Sequence, residues 1–391
     1  MISVDEAQTR VLSLCRPLPA QTLPLRLALG RRLAMPLAAR MTQPPFDASA
    51  MDGYALPVAP LAGARFDVVG EAAAGRGHPG ALLPNTAIRI FTGAPVPQGT
   101  SHVVIQEDVT RTANQITLGP APDPARNIRP RGQDFTEGQV FAPKRLGPAD
   151  LGLLAAMNIA EVPVHRRPVI ALLSTGDELV PPGTVPGPDQ IIGSSAYALA
   201  ALAETAGGSL RLLPIARDDL AHVSAAMDLA QDADLIVTLG GASVGDHDLI
   251  GRHAADLGLT LDFWKIALRP GKPMMAGRRG PVPVLGLPGN PVSAYVCAVL
   301  FLLPMIRAMQ GDPAPLPPVQ TAQLATDLPA NGPRRHYLRA SHSPETGRIL
   351  PAASQDSALT SVLAQANALL VHPEFSGPCR AGDTVSFLPL P

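Results

Sequence analysis

Between residues 168 and 309 the chain repeats one pattern: a short apolar run, a loop carrying glycine, then an amphipathic stretch of helical period. Few folds tolerate it. Parallel strands joined by helices cross over right-handedly and settle into a doubly wound α/β sheet with helices on both faces. Strands are expected at residues 169–173, 210–215, 235–239 and 282–285, and helices at 195–206, 220–230 and 291–309. In such a sheet, ligands bind beyond the carboxyl ends of the strands, where loops and helix N-termini present backbone N–H groups. The chemistry is sought there.

A chain of 391 residues exceeds what one core usually organises, so further domains are expected. Residues 3–16 carry apolar positions at helical spacing, and Ser3-Val4-Asp5-Glu6 reads as a capping box where a signal peptide would be basic. From 46 to 140 the texture changes to short β-branched runs punctuated by Gly and Pro, a β-rich lobe. Helical periodicity returns in LGPADLGLLAAMNIAEVPV (146–164), which is expected to pack with the N-terminal helix as one discontinuous domain. After the linker PAPLPP, residues 319–391 give short strands and turns, including RRHYLRASHSPETGRILPA, and a compact β-barrel is expected. The resulting division is 1–43 with 143–166 (small discontinuous helical domain), 44–142 (β-rich lobe), 167–312 (α/β domain) and 313–391 (C-terminal β-barrel).

A net charge of −1 and a pI of about 6.8 give no electrostatic footprint for nucleic acid or an anionic membrane, so small molecules or protein are the expected partners. Cys15, Cys297 and Cys379 fit neither a disulfide framework nor zinc-site spacing, which points to a reducing compartment, the cytoplasm. The most apolar run, 294–303, stops at Pro304, too short to cross a bilayer, and reads as a buried helix.

Four loops carry candidate chemistry. After VIALL come Ser174, Thr175, Gly176, Asp177 and Glu178, two carboxylates next to a tight turn; the bland alternative is Asp177 as a helix N-cap. After DLIVTL come Gly240, Gly241, Ala242, Ser243, Val244, Gly245, Asp246, His247 and Asp248. Its glycines let backbone approach a phosphate and Ser243 adds a donor, but the spacing is not that of a dinucleotide fingerprint and no ribose-reading acid follows. His247 reads as an ordinary loop residue. Asp248 beside a phosphate loop suggests a cation, since Mg2+ characteristically bridges carboxylates and phosphate oxygens. After FW come Lys265, Arg269 and Lys272 around a Pro-Gly turn, read either as an anion site or as a solvated basic face. Pro288, Gly289, Asn290 and Pro291 close a strand and open an apolar helix.

The runs PPFDASAMDGYA (44–55), IFTGAPVPQGT (90–100), VVIQED (103–108), NIRPRGQD (127–134), STGDEL, GGASVGDHD, WKIALRPGKP and GLPGNPVSA resemble, in order and spacing, the molybdopterin molybdenumtransferase (MoeA) family, whose vertebrate relative is the C-terminal domain of gephyrin. The resemblance spans roughly residues 3 to 385. It implies a four-domain homodimer whose α/β domain binds molybdopterin, and a reaction in which adenylylated molybdopterin and molybdate yield molybdenum on the dithiolene with release of AMP. Carried over position by position, it makes Asp177, Glu178, Asp218 and Asp248 acidic positions around a divalent metal (Mg2+ or another) and the substrate phosphate. It makes Asp52, Glu178, Asp248 and Lys265 catalytic. Substrate-binding positions are Thr92, Arg129, Ser174, Thr175, Gly176, Gly240, Gly241, Ser243, Arg269, Lys272, Pro288, Gly289, Asn290 and Pro291. Asp52 and Thr92 would serve the cleft from across the dimer. Transient contacts with the adenylylating enzyme and with molybdoenzyme chaperones are also implied.

The chain departs from the family at Arg269, where Lys is usual, at Gly193-Ser194-Ser195, where an acidic residue, Ser or Thr, then Asn is usual, and at Asp356 and Ala358, in place of Gly and His. Arg334 and Arg339 fit a basic pair of the family. Two other readings stay open, a molybdopterin adenylyltransferase and a non-catalytic scaffold of the gephyrin kind.

Overall fold

The computed structural model describes residues 1–240 and 249–391, in two compact units: Thr22–Pro163, and Met1–Gln21 together with Val164–Pro391. The chain opens with helix α1 (Val4–Ser13), capped by Ser3, whose Oγ accepts the Glu6 N–H at 3.1 Å.

The Thr22–Pro163 unit is built on a six-stranded sheet: β1 (Gly53–Leu56), β2 (Arg65–Ala72), β3 (Thr86–Ile90), β4 (His102–Ile105), β5 (Val109–Thr112) and β6 (Gln115–Leu118), in the order β4-β1-β3-β2-β6-β5. Strand β1 comes from MDGYA and sits between two neighbours; its four residues are all buried, as expected of an inner strand. Helix α2 (Pro148–Ala156) starts with Pro in its first turn, and the Asp150 carboxylate accepts the Gly147 N–H at 2.8 Å. The segments flanking the lobe lie together: Gly30 and Leu33 donate to the carbonyls of Leu146 and Lys144, and Leu37–Ala38 pairs with Val140–Phe141.

The N-terminal helix belongs to the unit that holds the α/β domain. Val4, Ala7 and Val11 of α1 are fully buried in the core of the α/β domain. The helix expected over 146–164 ends early, because Glu161–His165 (EVPVH) alternates buried and half-exposed positions with two valines and a proline, and is extended.

The α/β sheet contains β7 (Val169–Ser174), β8 (Ser209–Leu212), β9 (Leu235–Leu239), β10 (Leu259–Trp264), β11 (Met275–Arg279) and β12 (Val282–Leu287), in the order β8-β7-β9-β12-β11-β10. The first four strands in that order are parallel. Strand β11 is antiparallel to both β12 and β10, which leaves β10 pointing the same way as the parallel set. Helices α3 (Ser195–Thr205) and α4 (Leu220–Asp228) make the crossovers β7-α3-β8 and β8-α4-β9. The chain therefore steps one way from β7 and returns past it, placing the switch point between β7 and β9.

After β12, helices α5 (Pro291–Cys297) and α6 (Leu303–Met309) flank a π-helical stretch, Ala298–Leu302. The whole segment Pro291–Met309 is continuous and 83% of its most apolar window is buried, so it is a core helix that passes Pro304 rather than stopping there. Pro304 lies in the first turn of α6, where its missing N–H is tolerated, and the π stretch before it adjusts the ladder.

The C-terminal strands β13 (Gln320–Leu324), β14 (Arg335–Ser343), β15 (Arg348–Pro351), β16 (Ala368–His372) and β17 (Thr384–Pro389) close in the ring β14-β15-β13-β17-β16-β14. Closure is possible because the nine-residue β14 pairs with β15 at one end and β16 along its length. Helix α7 (Thr360–Gln365) lies between β15 and β16 in sequence. Leu268–Arg269, in the loop after β10, pairs in parallel with Arg335–His336, tying that loop to the barrel.

Candidate functional site

At the switch point three loops meet. Thr175 donates its N–H to the Leu239 carbonyl at 3.0 Å, Gly240 to Leu287 at 3.2 Å, and Gly176 to Ala216 at 3.2 Å, so the ends of β7, β9, β12 and the loop after β8 are laced edge to edge. Gly240 has φ +88°, and a Cβ there would lie 2.8 Å from the Thr175 carbonyl oxygen and 3.0 Å from its Oγ1; only glycine lets these loops close so far. The Gly289 position comes within ordinary contact of Gly240.

The crevice so formed holds a cavity of about 240 Å³ lined by Ser174, Thr175, Glu178, Asp218, Gly240, Gly289 and Pro291, among others. The N-terminal residues of α3, Ser195 and Ala196, line it too, as does Pro291 at the start of α5. One of its polar atoms, Thr175 Oγ1, is buried without a hydrogen-bond partner among the described residues, as is Oδ1 of Asn290, which stands between the lining residues Gly289 and Pro291. Buried polar atoms left unpaired are costly unless a ligand or water completes them. Backbone donors, helix N-termini and two exposed carboxylates around one cavity suit a phosphate ester whose charge is partly offset by a cation.

The two neighbouring carboxylates separate. Glu178 faces the crevice, whereas Asp177 lines a second cavity of about 540 Å³ on the side of β8. Asp177 caps no helix; its Oδ1 accepts the Asp218 N–H at 3.3 Å, and the chain runs on into Leu179–Val180, paired with Ile191–Ile192. Among the described residues no three acidic, His or Cys side chains form a metal-holding group. Gly241, Ser243 and Asp248, together with His247, lie outside the described residues.

In the Thr22–Pro163 unit, Asp52 and Thr92 form a site of their own. Asp52 Oδ1 accepts both the backbone N–H and the hydroxyl of Thr92 at 2.8 Å each. These donors, the backbone one first, together with the nearby Arg89 charge, hold the exposed Asp52 carboxyl below the usual carboxylate range. Arg89 is fixed in turn, donating to the Gly53 carbonyl and to Gln106 Oε1 and lying 5.0 Å from the Tyr54 ring centroid and 4.7 Å from that of Phe91. Arg129 is exposed and lines a cavity of about 550 Å³ with Pro44, Phe46 and Gly93.

The cations after β10 take separate positions. Lys265, whose backbone N–H bonds the Met274 carbonyl, has φ +75° and places Nζ 4.6 Å from the Trp264 ring centroid. Arg269 is exposed beside the barrel strand β14, where its charge acts on His336 along with those of Arg334 and Arg339. Burial first, then these cations and His372, push His336 down to about 4. Arg339 is only 1% exposed and donates to the carbonyls of Leu359 and Ser354 rather than to a carboxylate. Lys272 bonds through its carbonyl to the Ile266 N–H. The sequence reading missed His336, Arg89 and Gln106; Arg334 and Arg339 in RRHYLRAS were singled out, but nothing in that pattern said that β14 abuts the loop after β10.

Three family models match the chain in succession: the MoeA N-terminal region (domains I and II) over residues 2–158, a probable molybdopterin binding domain over 171–308, and the MoeA C-terminal region (domain IV) over 321–390. Molybdopterin molybdenumtransferase 2 of Mycobacterium tuberculosis (strain H37Rv) is 36% identical over 390 residues, covering 96% of each chain. The molybdopterin molybdenumtransferase of Haemophilus influenzae is 35% identical over 400 residues, covering 100% of this chain and 98% of its own. Among solved structures, the molybdopterin biosynthesis MoeA protein of Pyrococcus horikoshii superposes with a TM-score of 0.85 at 28% identity, covering 100% of this chain and 99% of that one. Three models in succession over most of the chain, and relatives 35% and 36% identical over nearly its whole length, establish that the chain belongs to the molybdopterin molybdenumtransferase (MoeA) family.

Proposed function

We propose that this protein is a cytoplasmic, homodimeric molybdopterin molybdenumtransferase that takes adenylylated molybdopterin and molybdate and releases AMP. The observation carrying this reading is the switch-point crevice, where Glu178 and Asp218 line one cavity with Gly240, Gly289 and Thr175, whose Oγ1 is buried without a partner among the described residues. Water adds across the phosphoanhydride, the P–O bond breaks and AMP leaves. The two dithiolene thiols then displace one molybdate oxygen, which departs as water with both thiol protons.

Glu178 is the general base for the attacking water, an exposed carboxylate lining the phosphate cradle. Asp218, on the same cavity, and Asp248 complete the acidic set. Mg2+ binds through one or two carboxylates plus substrate phosphates, and the pair Glu178 and Asp218 meets that demand; when bound, the ion neutralises phosphate charge. Lys265 and Arg269 offset the molybdate dianion, with Lys272 beside them, and Gly241 and Ser243 extend the phosphate cradle. Asp52, Thr92 and Arg129 serve the cleft of the other protomer. The three free thiols, Cys15, Cys297 and Cys379, suit a reducing compartment. Transient docking to the adenylylating enzyme and to molybdoenzyme chaperones would deliver substrate and collect product.

A stand-alone adenylylating enzyme would need only the α/β domain, and the MDGYA lobe and the barrel are unexplained by that reading. The test is Glu178→Gln, assayed for AMP release and thermal midpoint together. AMP release is expected to fall at least about a hundredfold with an unchanged midpoint, the size of a lost catalytic group. Turnover within about twofold of the parent refutes the assignment.

A further inference from the structure

Lys265 and Arg269 stand on a segment that does not hold its shape unaided. Strand β10 is an edge of the α/β sheet, and an edge strand has no outer neighbour to fix the chain that follows it. Lys265 also has φ +75°, a left-handed conformation that a residue with a side chain keeps only where its surroundings impose it. The hairpin supplies part of the restraint, through the Lys265 N–H on the Met274 carbonyl and the Ile266 N–H on the Lys272 carbonyl, both at 3.0 Å. Two segments remote in sequence supply the rest, the first residues of the chain and the start of β14.

These two segments are also joined to each other. The Ala267 N–H donates to the Ile2 carbonyl at 2.8 Å, beside the parallel pairing of Ile2 with Ile266. The Arg335 N–H donates to the Ala267 carbonyl at 3.0 Å, where residues 268–269 begin to pair with 335–336. Ala267 thus gives its N–H to one segment and its carbonyl to the other. Three residues on from Ile2, the Asp5 carboxylate accepts from both terminal nitrogens of Arg335, at 2.6 and 2.9 Å, the bidentate geometry in which a guanidinium binds a carboxylate most firmly. Glu374 accepts from Arg335 Nε at 3.2 Å, so the guanidinium is held from two sides. The Arg335 hydrogen bonds keep the Asp5 carboxyl below the usual carboxylate range, and the pair is ionised at neutral pH. Asp5 lies in the first turn of α1, whose last turn holds β10 itself, Arg10 donating to the Asp262 carbonyl at 3.2 Å. Val4, Ile266, Leu268 and Tyr337 share the core beneath. The contacts close a circuit: from the cation loop to Ile2, through Asp5 to Arg335, and back to the loop.

We infer that Asp5 and Arg335 are positioning residues for the anion: by clamping the first residues of the chain and the barrel strand onto the loop after β10, they hold Lys265 and Arg269 in the conformation that receives molybdate. The inference rests on the role proposed above for those two cations. Neither Asp5 nor Arg335 belongs to a run that carries the family resemblance. Losing the pair lowers the fraction of molecules whose loop is in place, and apparent anion affinity falls in proportion, while a loaded site reacts as before.

The experiment measures insertion against molybdate concentration in the whole protein, together with acrylamide quenching of Trp264, the half-buried residue before Lys265 and the chain's only tryptophan. Asp5→Ala is expected to raise the half-maximal molybdate concentration about threefold to tenfold and to leave the rate at saturation within about twofold of the parent. Asp5→Glu, which keeps a carboxylate for Arg335, should recover most of that loss. The double variant Asp5→Ala, Arg335→Ala should do no more than Arg335→Ala alone, the mark of one shared contact. Trp264 should be quenched more readily in each variant that lacks the pair. Val11→Ala is the control, since it loosens the packing of α1 in the core without touching the pair, and it should move neither reading. A half-maximal concentration unchanged in Asp5→Ala, while Lys265→Ala raises it, overturns the inference; an equal rise in Val11→Ala does so too, by reducing the pair to fold stability. If Lys265→Ala changes nothing either, the anion reading fails instead, and Trp264 then decides the clamp: quenching unchanged in Asp5→Ala removes it.

Discussion

His336 is the most perturbed imidazole of the barrel and gives a prediction with a sign and a size. It sits on β14, 8% exposed, with Arg269 from the loop after β10, His372 from β16, Arg334 just before its strand and Arg339 within it acting on it. Burial and these cations bring it from 6.5 to about 4. The unfolded chain therefore binds the proton first on acidification. Stability tied to this group is present above pH 6.5, is lost as pH falls toward about 4, and changes no further below that. At 1.36 kcal/mol per pKa unit the shift corresponds to about 3 kcal/mol, and screening of the exposed Arg269 brings the expected loss to about 2 kcal/mol. The assay is an NMR titration of the histidine rings, with urea unfolding at pH 7.5 and 4.5. In the parent, the His336 ring should remain neutral down to pH 5. Arg269→Ala should raise its midpoint, because a repelling charge is gone, whereas Arg269→Lys should not. His336→Asn should cut the acid-induced loss by about 2 kcal/mol. A parent ring titrating near 6.5 refutes the argument, since neither burial nor the cations would then act on it.

Mixing Asp52→Ala and Glu178→Ala subunits should restore part of the activity, because one cleft of each hybrid dimer keeps both residues; no recovery in samples shown to exchange subunits counts against the shared cleft. Thr92→Val removes the hydroxyl that donates to Asp52 at 2.8 Å and leaves the backbone N–H, so the acid limb of the pH–rate profile should move to higher pH. Lys265→Ala should raise the molybdate concentration for half-maximal insertion, and Arg269→Lys should shift it less; an unchanged dependence with substrate binding intact moves the anion site elsewhere. Gly271→Ala should cost about 2 kcal/mol or more in urea unfolding, because at φ +119° its Cβ would lie 2.5 Å from Cys297 Sγ and 2.8 Å from Leu268 Cδ2.

The sequence was most informative where a pattern is local. Strand–helix alternation alone located β7, β9 and β12 within two residues, because buried parallel strands are continuous apolar runs that glycine loops terminate. The hairpin of β10 and β11 was not seen, since LTLDFW and MAGRR are each broken by charge or glycine and acquire their strand character from pairing, β11 with β12 and β10 with β11. The buried face of α1, Val4, Ala7 and Val11, announces in the sequence that it packs but carries no address; the structure supplies one, the core shared with the helix Pro291–Met309. At the site, loop residues could be named one by one, while the side each faces depends on register. Asp177 and Glu178 look equivalent as a pair of adjacent acids, and the turn that carries them, closed by the Leu179 N–H on the Gly176 carbonyl, sends them into different cavities. A resemblance transfers residue types to positions; which of two adjacent acids lines the switch-point crevice is decided by the turn that carries them.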